Sequence, residues 1–247
     1  MDTECLPAGR AADAEAASNA SIAYEDMQLP MLMRSLYGDR LPKFVFVLRE
    51  PAERVYSAYK GTKELVAAYG NTTNSFISYA RDQMKAWTAC VAAHGEHACM
   101  WHFETLSMEQ EKVFYHCDQV LRGLYDEWLK VWFRFFPREN FLFINSHNYF
   151  RDPNATRKEV LEFLGLRTPD DATLAVMANA SAPVSNVDGP FDWIPEGARR
   201  LLQKHIFESH TTKLAKLLAK QGEGPGDDSY DMWDNWNRND WNRRRGR

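Results

Sequence analysis

Apolar residues in this chain recur with two different periods. Two short runs, 43–48 (KFVFVL) and 140–146 (NFLFINS), are almost continuous in apolar, β-branched and aromatic residues. Unbroken runs of that length predict strands buried on both faces, as in a parallel sheet covered by helices. Elsewhere the apolar positions return every three to four residues. Residues 22–38 read as a short helix, interrupted at Pro30 and closed by Gly38. Pro51 suits the first turn of a helix, which is expected to run to about Val66. Phe76, Ile77, Ala80, Met84 and Trp87 mark a helix over 74–94. The clearest pattern is 118–136, where Leu121, Leu124, Tyr125, Trp128, Trp132 and Phe135 form one wide stripe. Asp118 supplies an N-cap there, and Pro137 a stop. Asp152, Pro153 and Gly165 bound another helix. A last helix is expected from Pro195 to about Lys220 through Leu201, Leu202, Ile206, Leu214 and Leu217. Strands alternating with helices predict an α/β fold with a parallel sheet. Two strands are few for a complete sheet.

This pattern divides the chain. Residues 1–17 are rich in Ala and acidic residues without periodicity, and disorder is expected. Residues 18–221 form the folded domain. From 222 to 247 the chain is Gly/Asp-rich and then reads DMWDNWNRNDWNRRRGR, without a core-forming pattern, so disorder is expected again.

Composition narrows the function. The net charge of −4 over 247 residues argues against coating nucleic acid. No apolar run approaches the ~20 residues that span a bilayer, and the N-terminus lacks the basic and apolar regions of a signal peptide. Four cysteines show no CxxC pairing, so no structural zinc site is expected. Cys90 and Cys99 enclose VAAHGEHA and read either as a disulfide loop or as two separate thiols. Sequons at Asn19, Asn71, Asn154 and Asn179 favour a secretory-pathway protein. The seven histidines show no paired ligand spacing, and His94 and His97 read as solvated. No metal is expected.

The chemistry concentrates in FVFVLREPAERVYSAY, 44–59. In open α/β sheets ligands bind at the carboxyl ends of the strands, where helix N-termini also point free N–H groups. Arg49 stands there, and its planar fork suits a phosphate. Ser57, on the helix that follows, offers a hydroxyl to the same anion. Arg54 precedes Ser57 by three residues and so shares its helix face. The competing reading is a surface ion pair beside a solvated hydroxyl.

These residues resemble the 3′-phosphate-binding motif of sulfotransferases that use 3′-phosphoadenosine 5′-phosphosulfate (PAPS). The elements stand in register: an apolar strand, then Arg49, Glu50, Pro51, Arg54, Ser57 and Tyr59. LRGLYDEWLKVWFRFFPRENFLFINSHNYFRDPNATRKEVLEFLGL (121–166) is similar to a segment of Golgi carbohydrate sulfotransferases, and 194–218 resembles their C-terminal helix. The resemblance covers roughly 18–220, with the glycosaminoglycan type, including N-acetylgalactosamine 4-sulfate 6-O-sulfotransferases, as the nearest pattern. It implies a P-loop-like parallel sheet flanked by helices. It also implies PAPS as co-substrate, a polysaccharide or glycan acceptor, the Golgi lumen, and a membrane anchor only upstream of this chain. Arg49 and Ser57, with Arg54 beside them, would hold the 3′-phosphate.

Two departures limit that implication. The family's Lys-x-Gly-Thr/Ser loop, which cradles the 5′-phosphosulfate, has no counterpart here, and the chain is expected to begin downstream of it. SNASIAY (18–24) aligns with the stretch carrying the family's candidate base, but places Asn19 at the acid's position, and an amide takes no proton. Glu15 and Glu25 are the substitute candidates, against a reading as surface glutamates. The loop 181–193 also lacks basic residues. Weak or absent sulfotransfer is therefore expected of this chain alone. A sulfotransferase-like domain that binds nucleotide or glycan without catalysis is the second reading. A P-loop kinase is a distant third, since GxxxxGK[ST] is lacking.

Overall fold

The computed structural model describes residues 29–100, 118–170, 172–174, 176, 194–219, 233 and 236. Helix α1 (Leu29–Tyr37) leads to strand β1 (Phe44–Leu48), then α2 (Pro51–Gly61), α3 (Lys63–Tyr69) and α4 (Thr73–His94). Next come α5 (Asp118–Leu121), α6 (Tyr125–Phe135), β2 (Phe141–Asn145), α7 (Ser146–Arg151) and α8 (Pro153–Leu164). Helix α9 (Glu196–Leu202) passes through a π-helical turn (Gln203–Phe207) into α10 (Glu208–Leu218). Glu15, Asn19, Glu25 and the loop 181–193 lie outside the described residues.

Both expected strands form and pair in parallel, from Phe44 opposite Phe141 to Leu48 opposite Asn145. The fold is α/β, with helices predominating over this small sheet. Alternation sends Phe44 and Phe46 to one face, beside Phe141 and Phe143. There Phe44 stacks on Phe141 at 5.0 Å and meets Trp132 and Phe136 edge-on at 5.0 and 4.8 Å. Leu129, Leu214 and Leu218 close this core. On the other face Val45 and Val47 are 39% and 61% exposed, so β1 is covered on one side only by the described residues. A second, helical core gathers Val55 and Tyr59 of α2, Phe76 and Tyr79 of α4, Leu124 and Phe207.

Several helices depart from their periodic pattern for local reasons. The helix expected over 51–66 divides at Thr62, where φ −101° and ψ 106° leave the helical region. The Thr62 hydroxyl donates to the Ala58 carbonyl at 2.7 Å, and the Tyr59 hydroxyl donates to the Gly70 carbonyl at 2.6 Å, pinning the bend. The helix expected over 118–136 breaks after Leu121. Gly123 approaches Phe207 so closely that a Cβ would lie 2.7 Å from the ring. The Leu121 carbonyl accepts from the Leu124 amide at 3.0 Å and from Trp128 Nε1 at 2.9 Å. Asp118 begins α5 rather than preceding it, and Pro30 lies in the first turn of α1 rather than interrupting it. Helix α8 matches its signals: the Asp152 carboxylate accepts from the Ala155 amide at 2.9 Å, and Gly165 adopts φ 74°.

Most of the segment 222–247 lies outside the described residues. Two of its residues are described, Trp233 and Trp236, and both are buried in the sheet-side core. Their rings meet edge-on at 5.2 Å. Aromatic bulk at these two positions does core work that no local periodicity announces.

Of the two readings of Cys90 and Cys99, the structure shows the disulfide, with Cα atoms 5.9 Å apart. Closing so short a loop stabilises by roughly 2 kcal/mol, at the low end for disulfides. The Cys90→Ser/Cys99→Ser double variant is expected to lower unfolding free energy by about that amount in urea denaturation; an unchanged midpoint would contradict it.

Candidate functional site

The carboxyl end of β1 delivers Arg49 and Glu50 directly into α2, whose first residue is Pro51. Glu50 turns back over the helix start. Its Oε1 accepts from the Ala52 amide at 3.2 Å, and its Oε2 from the Glu53 amide at 2.7 Å. Gln203 Nε2, from the π turn, donates to the same Oε1 at 3.3 Å. This arrangement corrects one expectation. The amides of Ala52 and Glu53 are taken by Glu50, so the positive end of α2 is already matched by a carboxylate and is not an open anion nest.

Glu50 is 2% exposed. Burial pushes its carboxyl up to about 7, against the pull of the Arg199 guanidinium and with the push of Glu53. A carboxyl raised in the folded state favours folding below its ordinary value of 4.5, and that contribution disappears as pH rises toward 7. The parent chain is therefore expected to lose stability across that window relative to Glu50→Gln. Urea midpoints measured along the pH series check this, and identical slopes for the two proteins would refute it.

Arg49 itself is held by its backbone and by one neighbour. The Tyr125 hydroxyl donates to the Arg49 carbonyl at 2.9 Å, and burial raises that phenol to about 12, so it remains a donor at neutral pH. Arg49 Nε lies 3.7 Å from Glu53 Oε2, with the arginine side chain 30% exposed and thus open toward solvent. Ser57 is half-buried in the second turn of α2. Arg54 has a different engagement. Its Nη1 donates to Gln119 Oε1 at 2.9 Å and its Nη2 to the Gln119 carbonyl, fastening α2 to α5.

Behind this corner lies a layer that sequence reasoning missed. The Trp236 carbonyl accepts from Gln203 Nε2 and from Arg199 Nη2, the latter at 3.3 Å. Gln203 thereby links the C-terminal segment to Glu50. A π turn is a frequent mark of functional sites, but its onset at Gln203 follows from no short-range signal. Glu50 had one: an acidic residue directly before a helix-opening proline. Trp128 and Trp132 pack against the helical and sheet-side cores respectively, which is the core reading of those residues.

The sulfotransferase domain model matches residues 15–184. Carbohydrate sulfotransferase 15 of Mus musculus is 25% identical over 179 residues, covering 71% of this chain and 30% of that protein. Its Homo sapiens counterpart is 23% identical over 182 residues, with 72% and 30% coverage. Heparan sulfate glucosamine 3-O-sulfotransferase 6 of Homo sapiens is 27% identical over 146 residues, covering 56% of this chain and 38% of the relative. The chain thus spans about a third of the length of these curated relatives. The family model extends over more than half of the chain and includes β1, the Arg49 corner, α6 and β2. This chain belongs to the sulfotransferase domain family.

Proposed function

We propose that the Arg49 corner binds the 3′-phosphate of PAPS. In this reading the domain takes part in sulfuryl transfer to a hydroxyl of a carbohydrate, of glycosaminoglycan-like polysaccharide type. The observation that carries it is the register of Arg49, Pro51 and Ser57 at the carboxyl end of a parallel strand, inside a segment matched by the sulfotransferase model. The residues present fit a phosphate: Arg49 is a half-open guanidinium on a fixed backbone, and Ser57 is a hydroxyl on the adjoining helix. Arg54, engaged by Gln119, shapes the corner by fixing α2.

PAPS supplies the sulfuryl group, whose bond to the 5′-phosphate breaks as one to the acceptor oxygen forms. The acceptor proton passes to a base, and adenosine 3′,5′-bisphosphate leaves. The chain's own residues, on this reading, bind and orient the nucleotide end. Glu15 and Glu25 stay the proposed bases. The buried disulfide and the exposed sequon at Asn71 support a Golgi-lumen setting. No described helix is long and apolar enough to cross a membrane.

A titration with adenosine 3′,5′-bisphosphate tests the site. Ser57→Ala is expected to weaken binding by roughly three- to tenfold, the net worth of one ordinary hydrogen bond. Absence of saturable binding to the parent chain would remove the proposal. A second reading, a domain that binds nucleotide or sulfated glycan without catalysis, is favoured by Asn19 at the acid position. A PAPS-dependent assay on this chain separates the two: turnover that is weak but above background supports the first, and binding with no turnover the second.

A further inference from the structure

Away from the Arg49 corner, three elements converge on one imidazole. His210 of α10 is 4% exposed and lies among acidic side chains from α6 and from the disulfide loop. Its Nδ1 lies 2.8 Å from Asp126 Oδ1. A carboxylate only accepts, so Nδ1 carries the hydrogen and Nε2 is left as the lone-pair nitrogen.

Nε2 points not at a donor but at Glu96 Oε1, 3.3 Å away. Two acceptors facing each other at that distance require a cation between them, either a proton or a metal ion. Bonds of about 2.0–2.1 Å around tetrahedral zinc place neighbouring ligand atoms roughly 3.3–3.4 Å apart. Glu127 supplies a third ligand atom, and the three atoms lie within 4.8 Å of one another. Asp126 Oδ2 is buried 3.7 Å from Lys130 Nζ.

We propose that Glu96, Glu127 and His210 form a site for a divalent first-row transition ion of the zinc class, with Asp126 orienting the imidazole. One nitrogen and two carboxylate oxygens suit such an ion, and three protein ligands leave one position open to water. A carboxylate fixing the far nitrogen of a ligating histidine is the usual support of such sites. The ion clamps α6, α10 and the loop closed by Cys90–Cys99, which carries Glu96. Lys213, 3.7 Å from Glu96 and 3.8 Å from Glu127, and Lys130, 2.6 Å from Glu127 Oε1, have side chains 45% and 47% exposed and are the counter-charges that the ion displaces toward solvent. Sequence spacing hid the site because its ligands come from residues 96, 127 and 210.

The test uses the full chain in a Cys5→Ser/Cys117→Ser background, so that the two thiols outside the disulfide do not compete. Co2+ is titrated alone, read by visible d–d absorption and calorimetry, and then competed with Zn2+. One ion per chain is expected, with a rise in Tm on zinc addition. Glu96→Gln, at an exposed position, is expected to lower affinity at least tenfold and to abolish the Tm rise, and Glu127→Gln likewise. His210→Gln is expected to abolish binding, with the two glutamate variants keeping the test valid if it fails to fold. The proposal is overturned by absence of stoichiometric binding, which assigns the gap to a proton. It is equally overturned by binding that Glu96→Gln and Glu127→Gln leave unchanged.

Discussion

Trp236→Ala is expected to lower the unfolding free energy by about 3 kcal/mol, toward the lower end of large-to-small aromatic losses. Trp236 is 1% exposed, meets Trp233 edge-on and lies 6.4 Å from the Tyr125 ring, so truncation leaves a hole in the sheet-side core. The loss stays at the lower end because the buried Trp236 Nε1 has no hydrogen-bond partner among the described residues, and removing it relieves that cost. Trp236→Phe separates the two effects. It keeps most of the ring, deletes the unsatisfied N–H, and is expected to change stability by less than about 1 kcal/mol. Urea denaturation of both variants checks this. A Trp236→Ala chain as stable as its parent would show that the C-terminal segment does not pack in solution as it does here. The same substitution loosens the carbonyl that Gln203 and Arg199 share, so nucleotide affinity should fall with it.

Arg49→Ala should weaken adenosine 3′,5′-bisphosphate binding by roughly 30- to 150-fold, equivalent to about 2–3 kcal/mol for charge-assisted hydrogen bonds to phosphate. The size of the effect follows from the geometry around it. Glu50 already occupies the α2 amides, so the N-terminus of α2 does not share the anion's charge and, among the described residues, the guanidinium is expected to supply most of it. Glu53, 3.7 Å from Arg49, holds the side chain in the free state and must be outcompeted by the phosphate. Arg49→Lys should recover only part of the affinity, because an ammonium offers no planar fork. Calorimetric titration in low and high salt is the measurement, since ionic contacts weaken with ionic strength. Equal affinity in parent and Arg49→Ala would would place the nucleotide elsewhere.

How far the sequence alone carried the fold depended on how local each signal was. Both strands were legible because Phe44–Leu48 and Phe141–Asn145 are dense in residues that suit buried extended backbone. Helix α8 was legible down to its caps, since Asp152, Pro153 and Gly165 act within their own turns. The break in the helix expected over 118–136 was not, because the reason for Gly123 is Phe207, a residue far along the chain. Asp126 carries no local signal that singles it out in the sequence. Its burial depends on His210, 84 positions away. The site divided in the same way. Arg49 and Ser57 could be named from one short motif, whereas Gln203, Arg199 and Trp236 join it only through tertiary packing. Trp236 fell in a segment whose composition suggested no order at all.

The π turn between α9 and α10 sets the phase of everything that follows it. Each residue advances an α-helix by about 100°, and a π turn holds one residue more than an α turn would. Helix α10 is therefore rotated by about a quarter-turn relative to where an uninterrupted continuation of α9 would place it. That rotation is what aims His210 at Asp126 and Leu214 at the sheet-side core. A one-residue gap opposite 203–207 in a comparison with another chain is thus a change of angle rather than of length, and a relative lacking the extra residue would present a different face of this helix to α6.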